Sequence, residues 1–420
     1  MALEDFLEEQ RNPGRAVGGE ASFTLDPLKV RERVATFVEE DSLYPLYRCL
    51  QALINFCEGD IFVQRKQKCW QISFQWKDCP PTKAFENLLN LGTTASFDSI
   101  GHRACQHLFF GLSAALGVAD YHLTWKGSRS HFALDTGVFK TLPEEPSDYT
   151  TLSLSVDSSW WQKLTRQKND KQIFDSLRNR LCYSPTPIHL QHELITPQAP
   201  GAPERPWLAK LGENSHLAWR FLRVPDQNFL TIPYPSLDYY KYGNKPDTFH
   251  LIREPQDQSL PLSVSIQDPQ RRHLMKGQTK NLSLSQVSRA HSALFLSLEG
   301  GRQDWLIPVN DGLLTQAVPV DIAGGGIVAL TSERSLNYDL SGLKVIENEA
   351  FQASLEAFRK ESKALKKQLG VSLANMSFRS EHLPKRYEQA LSYLVGGPHL
   401  GLLGGRLGPK IRRFFGKKED

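Results

Sequence analysis

No stretch of this sequence is apolar for long enough to span a bilayer. The first five residues (MALED) are acidic and lack the basic and apolar regions of an export signal. A cytoplasmic protein without a transmembrane segment is therefore the expectation. Cysteine is scarce, with 6 residues in 420, and no CxxC pair or Cys/His set has the spacing of zinc ligands. The thiols are accordingly predicted to be free and buried.

Common catalytic and nucleotide-binding motifs are missing as well. The sequence contains no G-x-S-x-G nucleophile elbow, no P-loop, no H-E-x-x-H and no protein-kinase signature. The three glycines at 324–326 are not a dinucleotide fingerprint, because no G-x-G-x-x-G is present and the run lies between two predicted strands. The net charge of +4 is small for 420 residues and argues against nucleic acid as the main partner.

The composition that is present is typical of a folded chain with substantial cores. Hydrophobic residues make up 40% and charged residues 23%, and a length of 420 predicts about two or three domains. The periodicity predicts an α+β fold, with a first domain over 23–142, a second α+β domain over 147–346 and C-terminal helices over 347–395. Residues 1–22 are expected to form a flexible segment, and residues 396–420 a Gly-rich, basic tail.

The most informative stretch runs from Leu46 to Gly137. A helix is predicted at its start, because one face carries the apolar residues Leu46, Leu50, Leu53, Ile54 and Cys57 at helical spacing. Gln51, Asn55 and Glu58 follow one another about one turn apart on another face. This polar row either lines a cleft or is an ordinary solvated face, and its spacing alone leaves both interpretations open.

The elements after this helix follow a defined order. A strand is predicted from Asp60 to Gln67, and Trp70 to Trp76 alternates as a half-buried strand does. A short helix beginning at Thr82 leads through a polar loop, 92–101, into a second helix. Two further strands are predicted at the end of the stretch, over 121–126 and 130–135.

This order and these residues resemble the ATPase superfamily of gyrase, the ninety-kilodalton heat-shock chaperones, sensor histidine kinases and mismatch-repair MutL proteins. The resemblance covers roughly residues 25–137 and implies a Bergerat-like fold, a helix-backed mixed sheet with an ATP pocket. In that family the first helix carries a Glu that activates water and, four residues on, an Asn that holds magnesium. Asn55 matches the Asn, but Gln51 stands at the general-base position, and a Gln amide cannot accept a proton at neutral pH.

The second motif of the family is altered too. It supplies an Asp for the adenine amino group, followed by two glycines at which the backbone approaches the nucleotide. Trp76 falls at the Asp position, and Asp78 and Pro80 fall at the glycines. A shift of one or two residues would bring Asp78 to the Asp position, but prolines would still follow. Proline fixes φ and removes an N–H donor, which is unfavourable for such a close approach.

The third motif of the family is a Gly-rich lid that enters a helix, where backbone N–H groups hold phosphate. Residues 91–94 (LGTT) resemble the start of that lid, and Gly101 survives at its end. Ala104 and Gln106 replace the other glycines, while His102 and Arg103 could meet an anion at the helix start or simply be solvated.

Two functional hypotheses follow from the resemblance. The first is a non-catalytic, ATPase-like pseudoenzyme that acts as a structural or protein-interaction module in a cytoplasmic assembly and needs no cofactor. The second is an active ATP-dependent, chaperone-type ATPase with an atypical pocket, which would bind ATP and magnesium, with Asn55 holding the metal. The residues that the resemblance implies for nucleotide binding are Asn55, Gly92, Thr93, Thr94, Gly101, His102 and Arg103. No catalytic residue is assigned, because Gln51 occupies the general-base position.

The second half of the chain carries fewer functional signals. Strands with tight turns are predicted over 288–330, and a helix from Glu347 to Leu369. In the resembled family a Lys of the second domain reaches the phosphates; Lys276 or Lys280 could do so here, and no motif decides between them. A basic-aromatic tail could dock on a protein partner or an anionic surface, or have no function. Its residues are Lys410, Arg412, Arg413, Phe414, Phe415, Lys417 and Lys418.

Overall fold

The computed structural model describes most of the chain between residues 27 and 374. The described ranges are 27–66, 69–76, 78–91, 102–117, 121–135, 138–143, 147, 149–156, 170–195, 216–222, 224, 229–234, 249–252, 263–266, 286–297, 303–322 and 326–374. The helices in these ranges are α1 (Pro27–Glu40), α2 (Tyr44–Phe56), α3 (Thr82–Leu91), α4 (His102–Gly117), α5 (Asp170–Leu181) and α6 (Glu349–Ala374). The predicted segment 1–22, the helix predicted near 383–394 and the basic tail lie outside the described residues.

Helices α1 and α2 begin with the proline signals of the sequence. Pro27 is the first residue of α1 and Pro45 lies in the first turn of α2, where a missing N–H costs no helical hydrogen bond. The spacing of Val30, Val34 and Val38 predicts an apolar face of α1, and all three residues are buried. Every residue of α2 is buried except Asn55. The polar side chains of this helix must therefore find their hydrogen-bond partners inside the protein.

The first sheet is mixed and has eight strands. Its order is β5-β4-β3-β6-β2-β1-β7-β8, with β1 parallel to β7 and all other neighbours antiparallel. In β2 the predicted alternation is confirmed, because Trp70, Ile72 and Phe74 are buried. Trp70 meets Phe174 of α5 with ring centroids 5.7 Å apart. Its strands are β1 (Ile61–Lys66), β2 (Cys69–Phe74), β3 (Tyr121–Lys126), β4 (His131–Asp135), β5 (Val138–Thr141), β6 (Thr150–Val156), β7 (Ile188–Leu190) and β8 (Glu193–Leu194).

This sheet extends beyond residue 142, where the first domain was expected to end. Strand β6, which the sequence placed in the second domain, lies between β3 and β2 near the middle of the sheet. The sequence predicts a single strand from Ile188 to Leu194, and this prediction is wrong, since β7 and β8 form a hairpin. Its turn residues Gln191 and His192 have φ of 53° and 71°. Residues other than Gly and Asn seldom adopt this left-handed region. Because neither Gly nor Asn occurs at this turn, the sequence contains no hairpin signal here.

A second large sheet follows in the chain. Its order is β11-β12-β9-β14-β18-β15-β16, with β17 also paired to β15, and β10 and β13 form a separate antiparallel pair. Strand β15 runs parallel to β18. The strands are β9 (His216–Leu222), β10 (Leu230–Tyr234), β11 (Phe249–Ile252), β12 (Ser263–Ile266), β13 (Gln286–Ala290), β14 (Ser292–Ser297), β15 (Asp304–Asn310), β16 (Leu313–Leu314), β17 (Val318–Val320) and β18 (Ile327–Thr331).

The last described helix, α6, buries the apolar stripe that the sequence predicts. Phe351, Leu355, Phe358 and Leu365 are all buried. The sequence also predicts a helix from Trp160 to Tyr183, and the structure describes this region from residue 170 onward, as α5. Among the helices that the structure describes, none combines the length and the apolar character needed to cross a bilayer.

The described helices and the two large sheets confirm the predicted α+β class with a large mixed sheet.

Candidate functional site

The candidate site surrounds Gln51, the residue at the general-base position of the resembled family. The Gln51 side chain is 0% exposed. Its Nε2 donates to the backbone oxygen of Asn310 at 2.9 Å, and its Oε1 accepts from Nη1 of Arg48 at 3.0 Å. Both ends of the amide are therefore used inside the protein. Only a group with both a donor and an acceptor can satisfy these two neighbours.

Arg48 is the one basic residue of α2, and it is 3% exposed. Its guanidinium carbon lies 5.1 Å from the ring centroid of Phe110 on α4. Desolvation lowers the pKa of Arg48, while the nearby groups of Tyr44, Asp311 and Asp339 favour the charged form. The Nε atom is buried and has no hydrogen-bond partner among the described residues. Arg48 is thus a buried cation without a direct carboxylate partner in the described part of the chain.

A hairpin of the second sheet covers this part of α2. Residues 310–312, called the 310–312 turn from here on, connect β15 to β16. Asp311 and Gly312 have φ of 46° and 83°, as a two-residue type I′ turn requires, and Asp-Gly is a preferred pair for it. A Cβ on Gly312 would lie 2.8 Å from Cδ1 of Ile54. Glycine here therefore allows both the turn and its close approach to α2.

Helix α4 binds the same turn through Arg103 and His107. Arg103 donates from Nη2 to Oδ1 of Asn310 at 2.5 Å, and its Nε lies 2.8 Å from Oδ2 of Asp311. Nε2 of His107 lies 2.7 Å from the same Asp311 oxygen. The turn also contacts the loop before α6, because Nδ2 of Asn310 donates to the backbone oxygen of Gly342 at 2.9 Å.

The electrostatics of this cluster keep His107 neutral and Asp311 charged. Desolvation and the Arg48 charge lower the pKa of His107 to about 4, against the opposing effect of its bond to Asp311. Desolvation alone would raise the pKa of Asp311, but the His107 hydrogen bond and the charges of Arg103 and Arg334 lower it on balance. A neutral His107 must donate from Nε2 to the carboxylate, so its Nδ1 is an acceptor, and this buried atom has no partner among the described residues.

Asn55, the residue implied for magnesium, lies one turn beyond Gln51 on the exposed side of α2. Its Nδ2 donates to the backbone oxygen of Gln51 at 2.8 Å. Within the described ranges, no three His, Cys, Asp or Glu side chains converge as a metal site of those residues would require. Asn55 and Gln51 therefore belong to one helix but point to different environments, one exposed and one buried.

Trp76, at the position of the adenine-binding Asp, lies in an aromatic cluster. It is 7% exposed and stacks on Phe56 with ring centroids 4.5 Å apart and an interplanar angle of 19°. Phe85 and Trp125 contact it edge-on at 6.3 and 6.0 Å. Pro80 is also buried, whereas Asp78 is exposed. Bulky apolar side chains thus occupy this part of the first sheet.

The other predicted site residues divide into two groups. Arg103 joins the cluster around the 310–312 turn, and His102 is the first residue of α4. Ala104 is buried and Gln106 exposed on the same helix. Gly92, Thr93, Thr94, Gly101, Lys276 and Lys280 lie outside the described residues. So do the tail residues Lys410, Arg412, Arg413, Phe414, Phe415, Lys417 and Lys418.

Four central residues of the cluster were not predicted as site residues: Arg48, His107, Asn310 and Asp311. One signal was available for Arg48, which is a lone basic residue in an otherwise largely apolar helix. The N-D-G-L run at 310–313 does predict a hairpin turn, but its contact with α2 spans 259 residues and leaves no local trace. No protein-family model matches this chain, and no curated protein shows significant sequence similarity to it.

Proposed function

We propose that this chain is a degenerate relative of the gyrase, heat-shock chaperone, histidine kinase and MutL ATPases, and that it does not hydrolyse ATP. In this proposal it serves as a structural or protein-interaction module of a cytoplasmic assembly. The order of α2, β1, β2, α3, α4, β3 and β4 agrees with the order on which the resemblance is based. The absence of hydrolysis is proposed from the residues that occupy the catalytic and nucleotide-binding positions of that family, which are Gln51, Asn55 and Trp76.

The single observation that supports it best is the environment of Gln51. A general base must accept a proton from a water molecule that it contacts directly. The Gln51 amide cannot accept that proton, is fully buried, and is bonded at both ends to Arg48 and Asn310. A water molecule that replaced either partner of the amide would have to break its bond to Arg48 or to Asn310.

Trp76 and Asn55 support the same conclusion for binding. In the resembled family an Asp accepts the hydrogen bond of the adenine amino group, whereas Trp76 at that position offers only an indole ring packed on Phe56 and Trp125. Asn55 is exposed and could offer one neutral oxygen to magnesium, which usually takes carboxylate and phosphate oxygens. These side chains fit a magnesium nucleotide poorly, so the proposal includes no cofactor.

Titration calorimetry of the full chain with ATP, with and without magnesium, tests this proposal. We expect no binding heat up to millimolar ATP. Asn55→Ala is the informative variant, and Asn90→Ala is its control because Asn90 is also an exposed helical Asn, on α3. A Gln51→Glu variant, which restores the carboxylate of the resembled family, should release no phosphate from ATP.

The active-ATPase alternative makes the opposite predictions. Micromolar binding that needs magnesium, is lost in Asn55→Ala and is kept in Asn90→Ala would overturn the proposal. Phosphate release by the unmodified chain, abolished in Asn55→Ala, would overturn it as well.

A further inference from the structure

A buried polar network joins the 310–312 turn to α2 and α4. Gln51, Arg48, His107 and Asn310 are all at most 3% exposed, and the Asp311 side chain is 8% exposed. Two hydrogen bonds reach Asn310, from Gln51 and from Arg103, and two contacts reach the Asp311 carboxylate, from Arg103 and from His107. Helices α2 and α4 are thus linked to the second sheet at this point by polar contacts, and the contact from His107 depends on protonation.

This network leaves two polar atoms unsatisfied when it is closed. Nδ1 of His107 and Nε of Arg48 are both buried without a hydrogen-bond partner among the described residues. A buried polar atom without a partner is unfavourable, and contact with water removes that cost. Lifting the 310–312 turn would hydrate the groups beneath it. The free-energy cost of a local opening is therefore lower here than at an apolar contact of equal size.

We propose that the 310–312 turn is a pH-sensitive latch, which lies closed on α2 and α4 while His107 is neutral and lifts off when His107 takes up a proton. The geometry supports this reading because the single Asp311 carboxylate already serves both Arg103 and His107. A positive charge on His107 would be repelled by the buried cation Arg48, and the one carboxylate in contact with His107, that of Asp311, is already paired with Arg103. The proposal does not depend on whether the chain binds nucleotide.

The charged groups around His107 set the direction of the effect. Arg48 faces it from α2, Arg103 from α4, and Asp311 from the turn, with Arg334 beyond the carboxylate. The pKa of His107 is about 4 with the turn closed and returns toward its ordinary value of 6.5 once water reaches the ring. The closed form is therefore favoured above pH 6.5 and is lost progressively as the pH falls toward 4. Asp311, whose pKa is lowered, loses its charge only below that range.

Amide hydrogen exchange of the full chain, corrected for the intrinsic effect of pH, measures this opening directly. The reporter is the amide of Thr315, which donates to Pro308 beside the turn, and the reference is the set of amides paired between β2 and β6. Between pH 6.5 and pH 4 we expect the opening constant at Thr315 to rise by up to about 100-fold. The β2 and β6 amides should change much less.

Two variants identify the titrating group. His107→Gln keeps a donor for Asp311 but does not titrate, so its Thr315 exchange should lose the pH dependence. His122→Gln is the control, because His122 makes a similar contact with Asp135 at 2.6 Å on a half-exposed part of the first sheet. That control should retain the full response of the unmodified chain.

The proposal is overturned if His107→Gln keeps the pH dependence, or if Thr315 and the β2–β6 amides lose protection together, which would mean global unfolding. If His107→Gln does not fold, Asp311→Asn decides the question, because Asn tolerates the left-handed turn position. Its Thr315 amide should already exchange faster at pH 7, and unchanged protection there would refute the latch.

Discussion

Replacing Gly342 by Ala should lower the free energy of unfolding by about 2.5–5 kcal/mol. The backbone of Gly342 has φ of +69°, which alone costs a non-glycine residue about 1–2 kcal/mol. A Cβ at this position would also overlap the guanidinium of Arg48. Displacing that group breaks its charged hydrogen bond to Gln51, which is worth about 1.5–3 kcal/mol.

A long side chain normally moves aside for one methyl group, but Arg48 has little room to do so. It is buried beneath the 310–312 turn and lies over the ring of Phe110. Gly59 is the matched control, because it also has a positive φ, of +95°, but its Cβ would meet no atom within 4 Å. Gly59→Ala should therefore cost only the backbone strain, about 1–2 kcal/mol.

Urea unfolding of the two variants at pH 7 measures the difference. The same substitution at Gly342 in an Arg48→Met background should cost only about 1–2 kcal/mol, since the displaced guanidinium is gone. Equal losses for Gly342→Ala and Gly59→Ala would refute the reasoning. So would an undiminished cost of Gly342→Ala when Arg48 is Met.

Two further predictions concern the helix pair α2–α4 and the buried thiols. Gly111→Ala should lower the free energy of unfolding by about 1–3 kcal/mol in urea titrations. Its Cβ would lie 2.7 Å from Sγ and 2.9 Å from the backbone N of Cys49. The cost of this clash exceeds the gain of about 1 kcal/mol in helix propensity. A variant more stable than the unmodified chain would contradict this prediction. Burial raises the pKa of Cys49 to about 12 and of Cys105 to about 11, so both thiols should resist a disulfide reagent at pH 8 until urea unfolds the chain. Rapid labelling of either residue in the folded protein, located by mass spectrometry, would show that the packing is different.

Much of the first sheet and its helices could be predicted from local sequence signals. The alternation of Trp70, Ile72 and Phe74 and the helical spacing of Leu46, Leu50 and Leu53 depend only on the direction of successive side chains along one element. The same reasoning predicted α6 and the strands β14, β15 and β18. The sequence also drew attention to Gln51, but its partners Arg48 and Asn310 were not predicted.

What the sequence by itself determined was the type of the strongly periodic elements, such as α2, β2 and α6, and which face of each is apolar. Only the tertiary structure decided that β6 enters the middle of the first sheet, and that the polar row of α2 splits into a buried Gln51 and an exposed Asn55. The contacts of Asp311 with Arg103 and His107 also follow only from the tertiary structure. The physical reason is that periodicity indicates which face of a helix or strand is buried, but not which other element packs against that face. A hydrogen bond that joins residues 259 apart depends on how the two sheets dock.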